Sequence, residues 1–225
     1  MALYGQRGRM HQDLKEKHVI LLMKAVIISS VFLLVLLSGC TDAGEPESQE
    51  NASLEVATFA GGCFWCMEAV FQEMDGVSEV YSGYTGGHKE NPAYSEVASG
   101  TTGHLEAVEV YYDPSVVTYE ELLEAFWTNI DPTDGGGQFV DRGPQYGTAV
   151  FYHDETQREL AEQSKIKLWE SGRLDAPVVT EIRPAEVFYI AEEYHQDYYI
   201  KRTFQYRIYE SGSGREERLG ELWEE

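Results

Sequence analysis

Apolar residues recur at two spacings along this chain, and the switches between them mark off short elements. Residues 54–60 read as a strand that runs into the Gly61-Gly62 turn. Met67, Val70, Phe71 and Met74 then fall at i, i+3, i+4 and i+7, the stripe of a helix ending near Gly76. Residues 105–112 read as a second strand. Thr118 and Glu121 stand at capping-box spacing and open a helix that turns Leu122, Phe126 and Ile130 inward, stopped by Asp131-Pro132. A strand over 147–152 and a helix over 155–170, ending before Gly172, come next. Val178, Thr180 and Ile182 alternate as a strand, and 192–201 reads as a last helix. Residues 211–225, rich in Gly and Glu, read as a loosely held acidic tail. Strands and helices interleave without a repeat, so one domain is expected over 54–214, with α+β and α/β both open.

The first forty residues follow another pattern. Met23-Lys24 precedes an apolar run from Ala25 to Leu37, which closes on Ser38-Gly39-Cys40. A short basic region, an apolar region and small residues form a secretory signal over 1–39. The ending Leu37-Ser38-Gly39-Cys40 resembles a bacterial lipobox, in which the cysteine is acylated and becomes the mature N-terminus. A plain transmembrane anchor is the alternative, but the run is near the short limit for a span. Residues 1–22 fit no part of such a signal, so translation is expected to start at Met23. Residues 41–53, polar and without aromatics, read as a flexible tether within a 40–53 linker, which places the domain outside the cytoplasm on a lipid anchor.

Charge narrows the range of partners. The chain has 17 basic against 39 acidic side chains, a net charge of -22, which argues against a nucleic-acid footprint. Of its three cysteines, lipidation of Cys40 would leave two thiols, Cys63 and Cys66, in the stretch GGCFWCMEAVF.

A strand, two glycines and then a cysteine at the first turn of a helix is an arrangement for a reactive thiol. The free N–H groups and the positive end of the helix dipole favour thiolate, so Cys63 is expected to be unusually acidic. Residues at i and i+3 on a helix have Cβ atoms about 5–6 Å apart, whereas a disulfide wants about 3.5–4.5 Å. A Cys63–Cys66 bond is reachable with local adjustment, which suits a redox cycle better than a permanent staple. A static disulfide is the alternative, as is a metal site that adds His88 and His104, although no second ligand-pair spacing supports the latter. Phe64 and Trp65 beside the nucleophile would wall a pocket for a small apolar group, since the stripe from Met67 onward already supplies the core face.

Here the chain resembles the type A peptide methionine sulfoxide reductases, whose catalytic signature is similar to GCFWCME at 62–68. The resemblance continues through GYTGG at 83–87, GHLEAVEVYYDP at 103–114 and FWTNIDPTD at 126–134. It runs on through DRGPQYGTAVFY at 141–152 to AEEYHQDYY at 191–199. It implies an α+β fold, a single two-layer α/β sandwich domain with a ferredoxin-like core. It further implies that Cys63 is the nucleophile, that Phe64 and Trp65 hold the sulfoxide methyl, and that Glu106 protonates the departing oxygen. Tyr84 and Tyr146 are implied to hydrogen-bond that oxygen, Asp141 to order the site, and His195 to play a supporting part. The expected reaction is reduction of methionine S-sulfoxide, free or in proteins, through a sulfenic acid and a Cys63–Cys66 disulfide. No cofactor is bound, thioredoxin or a relative is the external reductant, and the enzyme is monomeric.

Residue pattern supports part of this without the resemblance. On the 105–112 strand Glu106 shares parity with Val108, Val110 and Tyr112, so it should be desolvated and protonated at neutral pH. Many relatives carry recycling cysteines near the C-terminus, whereas GSGREERLGELWEE at 212–225 has none, so Cys66 must resolve the sulfenic acid. Two rival readings use the same cysteine pair. One is a thioredoxin-type disulfide oxidoreductase, and the other a lipid-anchored binding module whose aromatics grip methyl groups.

Overall fold

The structure is a computed structural model that describes residues 53–224; the expected signal, Met23 start, Cys40 lipidation and most of the tether lie outside the described residues. Strand β1 (Glu55–Gly61) leads through the glycine turn into α1 (Phe64–Gln72), then β2 (Val77–Thr85), the short α2 (Tyr94–Ala98) and β3 (Leu105–Tyr112). Helix α3 (Tyr119–Thr128) follows, then the two-residue strands β4 (Gly137–Gln138) and β5 (Asp141–Arg142), which pair with each other. β6 (Thr148–Tyr152), α4 (Glu155–Glu170), β7 (Glu181–Pro184) and β8 (Tyr189–Ile190) complete the sheet region.

The main sheet runs β7-β6-β1-β3-β2-β8. Its centre, β6-β1-β3-β2, is antiparallel and is built from a strand–helix–strand–strand–helix–strand order, the ferredoxin-like arrangement. β7 adds parallel to β6, and β8 adds at the opposite edge beside β2. Registers show how parity divides the sheet. Phe59 lies opposite Val108 and Val150, and with Ala57, Val80 and Val110 it forms one buried cluster with Met67, Phe71, Leu122, Phe126 and Ile130 from the helices. Ala60, Ala107, Ala149 and Phe151 take the opposite parity and form a smaller cluster on the other face.

Several expectations hold in detail. β3 and α4 have the predicted bounds. Thr118 accepts the Glu121 amide while the Glu121 carboxylate accepts the Thr118 amide, so the capping box forms. Others are corrected. The helix carrying Cys66 stops at Gln72 rather than near Gly76, and the next strand, β2, shows no simple alternation because Gly83 and the small hydroxyl residues Ser78, Ser82 and Thr85 interrupt it. Gly83 is needed there, since a Cβ would meet the Phe188 ring at 2.4 Å. The alternation at 178–182 becomes a strand only from Glu181.

The expected helix over 192–201 is broken. A 3-10 turn (Glu193–His195) and α5 (Tyr198–Lys201) are separated by Asp197 in the left-handed conformation, φ 54°. Gln196 bonds across to both backbone groups of Ser82, a pull that a continuous helix could not satisfy. The expected loose tail is also corrected. Residues from Thr203 form α6 (Thr203–Gly212) and α7 (Arg215–Trp223), with Arg215 buried, donating to the Asn129 carbonyl and lying 4.5 Å over the Phe139 ring.

Candidate active site

Cys63 stands at the N-cap of α1, its carbonyl accepting from the amides of Cys66 and Met67. Gly62 makes the entry possible. Its φ is +83°, and a Cβ there would sit 2.6 Å from Gln138. The first free amide of the helix, that of Phe64, donates to Glu106 Oε2 at 3.2 Å, so a carboxyl group from β3 caps the helix that begins at the cysteine.

Glu106 is 2% exposed. Burial dominates its titration, and although the Phe64 amide opposes it, the carboxyl is pushed up to about 8. At neutral pH it is a neutral acid with one oxygen engaged as acceptor. Tyr84 lies directly across the β2–β3 ladder from it. The Tyr84 hydroxyl donates to Glu192 at 2.9 Å, so its hydrogen is already committed. Tyr146, on the 3-10 turn Pro144–Tyr146, is half-buried and has no hydrogen-bond partner among the described residues. Burial and the nearness of Glu106 push its hydroxyl up. Asp141 accepts from Tyr209, and burial raises its carboxyl.

The thiols depart from expectation. Both are free, Cys63 5% and Cys66 2% exposed. The helix terminus alone would lower Cys63, but burial and the adjacent Cys66 and Glu106 push its thiol well up. Cys66 is the acidic member, drawn down to about 7 because Cys63 donates to it, against the effect of its own burial. The two thiols share their protons as a pair, and Cys66 is the member drawn toward thiolate. Two tyrosines of α6 pack over the sulfurs, the Tyr209 hydroxyl donating to Asp141 and the Tyr206 hydroxyl to Glu210 at 3.0 Å.

The aromatics also divide. Phe64 is wholly buried and belongs to the main core, its ring 5.9 Å from that of Tyr84 and 5.0 Å from that of His195. α1 begins at Phe64, whose ring turns inward with Met67 and Phe71, so any wall it offers a substrate is formed from the core side. Trp65 stays half-exposed, stacked on Tyr198 at 3.8 Å, with its indole N–H donating to His195 Nδ1 at 3.1 Å. His195 is kept neutral by burial and so receives that bond. Tyr94, Glu192, Tyr198, Tyr206 and Tyr209 complete the site unannounced by the pattern. Tyr94, on α2, is raised to about 12 by burial and by Glu106. His104, offered as a metal partner, instead spends its ring nitrogens on the backbone of Gly87 and Lys89.

Two buried thiols that share a proton beside a neutral carboxylic acid are the equipment of a thiol-dependent oxidoreductase, and the nearby tyrosine hydroxyls suit a substrate oxygen. Comparison with known proteins narrows the class. The family model described as peptide methionine sulfoxide reductase matches residues 55–225, and the chain belongs to that family. It is 59% identical over 169 residues to the peptide methionine sulfoxide reductase MsrA of Bacillus licheniformis, covering 75% of this chain and 93% of that one. The MsrA of Bacillus subtilis is 57% identical, with 75% and 96% covered. Among solved structures, the reduced form of Mxr1 from Saccharomyces cerevisiae superposes with a TM-score of 0.62 at 32% identity, over 69% of this chain and 89% of that one. Methionine sulfoxide reductase A of Corynebacterium diphtheriae gives 0.60 at 35%, over 67% and 76%.

Proposed function

We propose that the protein reduces methionine S-sulfoxide, free and in proteins, to methionine, with thioredoxin or a similar dithiol restoring it. The observation that carries this reading is the buried, protonated Glu106 bonded to the helix that starts at Cys63, an acid held beside a nucleophile. When the sulfoxide enters, the proton shared by the two thiols moves to Cys66 and leaves thiolate at Cys63. That thiolate attacks the sulfoxide sulfur while Glu106 gives its proton to the oxygen. Methionine departs and Cys63 is left as sulfenic acid. Cys66 then attacks the Cys63 sulfur, forming the disulfide and releasing water, and an external dithiol exchanges with that disulfide. Tyr146 has a hydroxyl hydrogen free for the sulfoxide oxygen, Tyr84 braces Glu192, and Asp141 holds Tyr209 over Cys63. The methyl group would lie against Trp65, with Phe64 behind it and His195 fixing the indole.

Incubation with each epimer of methionine sulfoxide and dithiothreitol tests this. Only the S epimer should be consumed, and Cys63→Ser should lose all turnover. Equal use of both epimers, or none, overturns the reading, and function that survives Cys63→Ser favours the binding module instead.

The lipid-anchor reading is part of the same proposal. The signal over 1–39 would be removed and Cys40 acylated, tethering a monomeric domain outside the cytoplasm by residues 41–53. Among the described residues no helix is long and apolar enough to cross a membrane. Mass spectrometry of membrane-extracted protein should find a diacylated or triacylated Cys40; an unprocessed chain that includes residues 1–22 would refute it.

A further inference from the structure

Helix α6 has two faces with different fates. Tyr206 and Tyr209 turn inward onto the thiols. Phe204 and Ile208, four residues apart on the outer face, are 74% and 58% exposed, and Ile200, on the short helix α5 just before it, is exposed as well. Flanking this apolar strip are Arg202 and Arg207, exposed and with neither an ion pair nor a side-chain hydrogen bond among the described residues. Uncompensated cations beside bare aromatic and aliphatic side chains are notable on a chain with a net charge of -22. Between this helix and α1 lies a cavity of about 310 Å³ whose walls include Cys66, Tyr206, Arg207 and Arg215 together with the acidic Glu73 and Glu210. Cys63 is not part of its wall.

We infer that the outer face of α6 docks the recycling reductase, a dithiol protein with an apolar collar and acidic residues around its exposed nucleophilic cysteine. That cysteine enters the cavity and attacks Cys66 rather than Cys63. The inference rests on the reductase reading and specifies where its last step occurs. In that step the partner's thiolate bonds to Cys66 Sγ and the Cys63–Cys66 bond breaks. The electron pair passes to Cys63, which takes up a proton from solvent. The partner's second thiol then displaces Cys66, so the partner leaves as a disulfide and the enzyme regains two thiols. Small substrate and large reductant thus use opposite ends of one disulfide: Glu106 and Trp65 serve Cys63, and the cavity serves Cys66. Tyr206 lines the cavity beside Cys66 and turns aside as the partner seats. The two arginines would supply the local attraction that an acidic partner needs on an acidic enzyme.

Two measurements on the full chain test the docking face. In the Phe204→Ser/Arg207→Glu variant, the KM for a bacterial thioredoxin should rise about tenfold or more, as expected when central contacts are lost. Turnover driven by dithiothreitol and the KM for the sulfoxide should not change. An unaltered thioredoxin KM overturns the inference, whereas wild-type enzyme that fails with dithiothreitol as well strikes the reductase reading beneath it. Independently of any enzyme variant, oxidised wild-type protein mixed with thioredoxin lacking its second cysteine should yield a mixed disulfide mapped by mass spectrometry to Cys66. A link to Cys63 overturns the inference.

Discussion

Strand β3 passes through two interiors on one face of the sheet. Toward its C-terminal end, Val108 and Val110 lie among Phe59, Phe71, Phe126 and Ile130, with Phe59 stacked between Phe71 at 4.9 Å and Phe126 at 5.2 Å. Two residues from Val108 toward the N-terminal end, Glu106 lies across from Tyr84 and against the helix that starts at Cys63. Both ends are closed to water, and that closure acts with opposite sign. Around Phe59 it removes apolar surface from water and stabilises the fold. Around Glu106 it makes charge costly, so a carboxyl stays neutral and a thiol pair keeps a shared proton. The site is an extension of the core in which burial alters proton affinity where elsewhere it adds stability.

Glu106→Gln should separate those two consequences most sharply. The amide still accepts from Phe64 but has no proton to give, so the sulfoxide step should slow by roughly 10²–10⁴-fold, the usual contribution of a general acid. In the wild type, the rate of that step should rise through about pH 7, where the thiol pair loses the first of its two protons, and fall beyond about pH 8, where Glu106 loses its own. The variant should keep the rise and lose the fall. Stability should move the other way. A carboxyl raised in the folded state binds its proton more tightly there than in the unfolded chain. The contribution of Glu106 to wild-type stability therefore drops as pH climbs from about 4.5 to about 8, at up to about 1.4 kcal/mol per unit. Denaturant titrations at pH 5 and pH 8 should show a shallower drop in Glu106→Gln. An unchanged slope would mean Glu106 is not held neutral.

Phe126→Ala probes the other interior. Removing a wholly buried ring from the stack around Phe59 should cost about 3–5 kcal/mol. The protein that remains folded should keep the wild-type pH profile, because no titratable group of the site rests on that ring. A displaced profile would show that the two interiors are mechanically one.

These interiors differed equally in how well they could be read from sequence. The apolar one follows a local rule: Leu122, Phe126 and Ile130 recur at helical spacing and Val108 and Val110 at strand spacing, and each turned inward. Glu106 was legible for the same reason, an acid sharing parity with valines. The aromatic half of the site was not. Tyr206 and Tyr209 reach the thiols from a segment about 140 residues away, between the expected 192–201 helix and the 211–225 tail, where no element was expected because one face of α6 is exposed and its apolar residues point outward. His195 and Tyr198 meet Trp65 only because Asp197 adopts a left-handed turn, which leaves no mark on periodicity. The direction of the Cys63 shift was missed because a helix terminus is local and visible in sequence, whereas burial by distant tyrosines is not.

The smallest effect tests whether the two regions are energetically separate. Thr118 caps α3, and among the described residues its side chain bonds only within the capping box, to Glu121. Thr118→Ala should cost about 1 kcal/mol of stability, the typical loss of such a cap, and leave turnover of the sulfoxide untouched. Combined with Glu106→Gln, the stability changes should add to within about 0.3–0.5 kcal/mol, because the two residues share no partner. A larger coupling energy, read from denaturant midpoints of the four proteins in this cycle, would mean that α3 transmits strain through Phe126 and Phe59 to β3. The protonation of Glu106 would then depend on the packing of the whole sheet face rather than on its own enclosure.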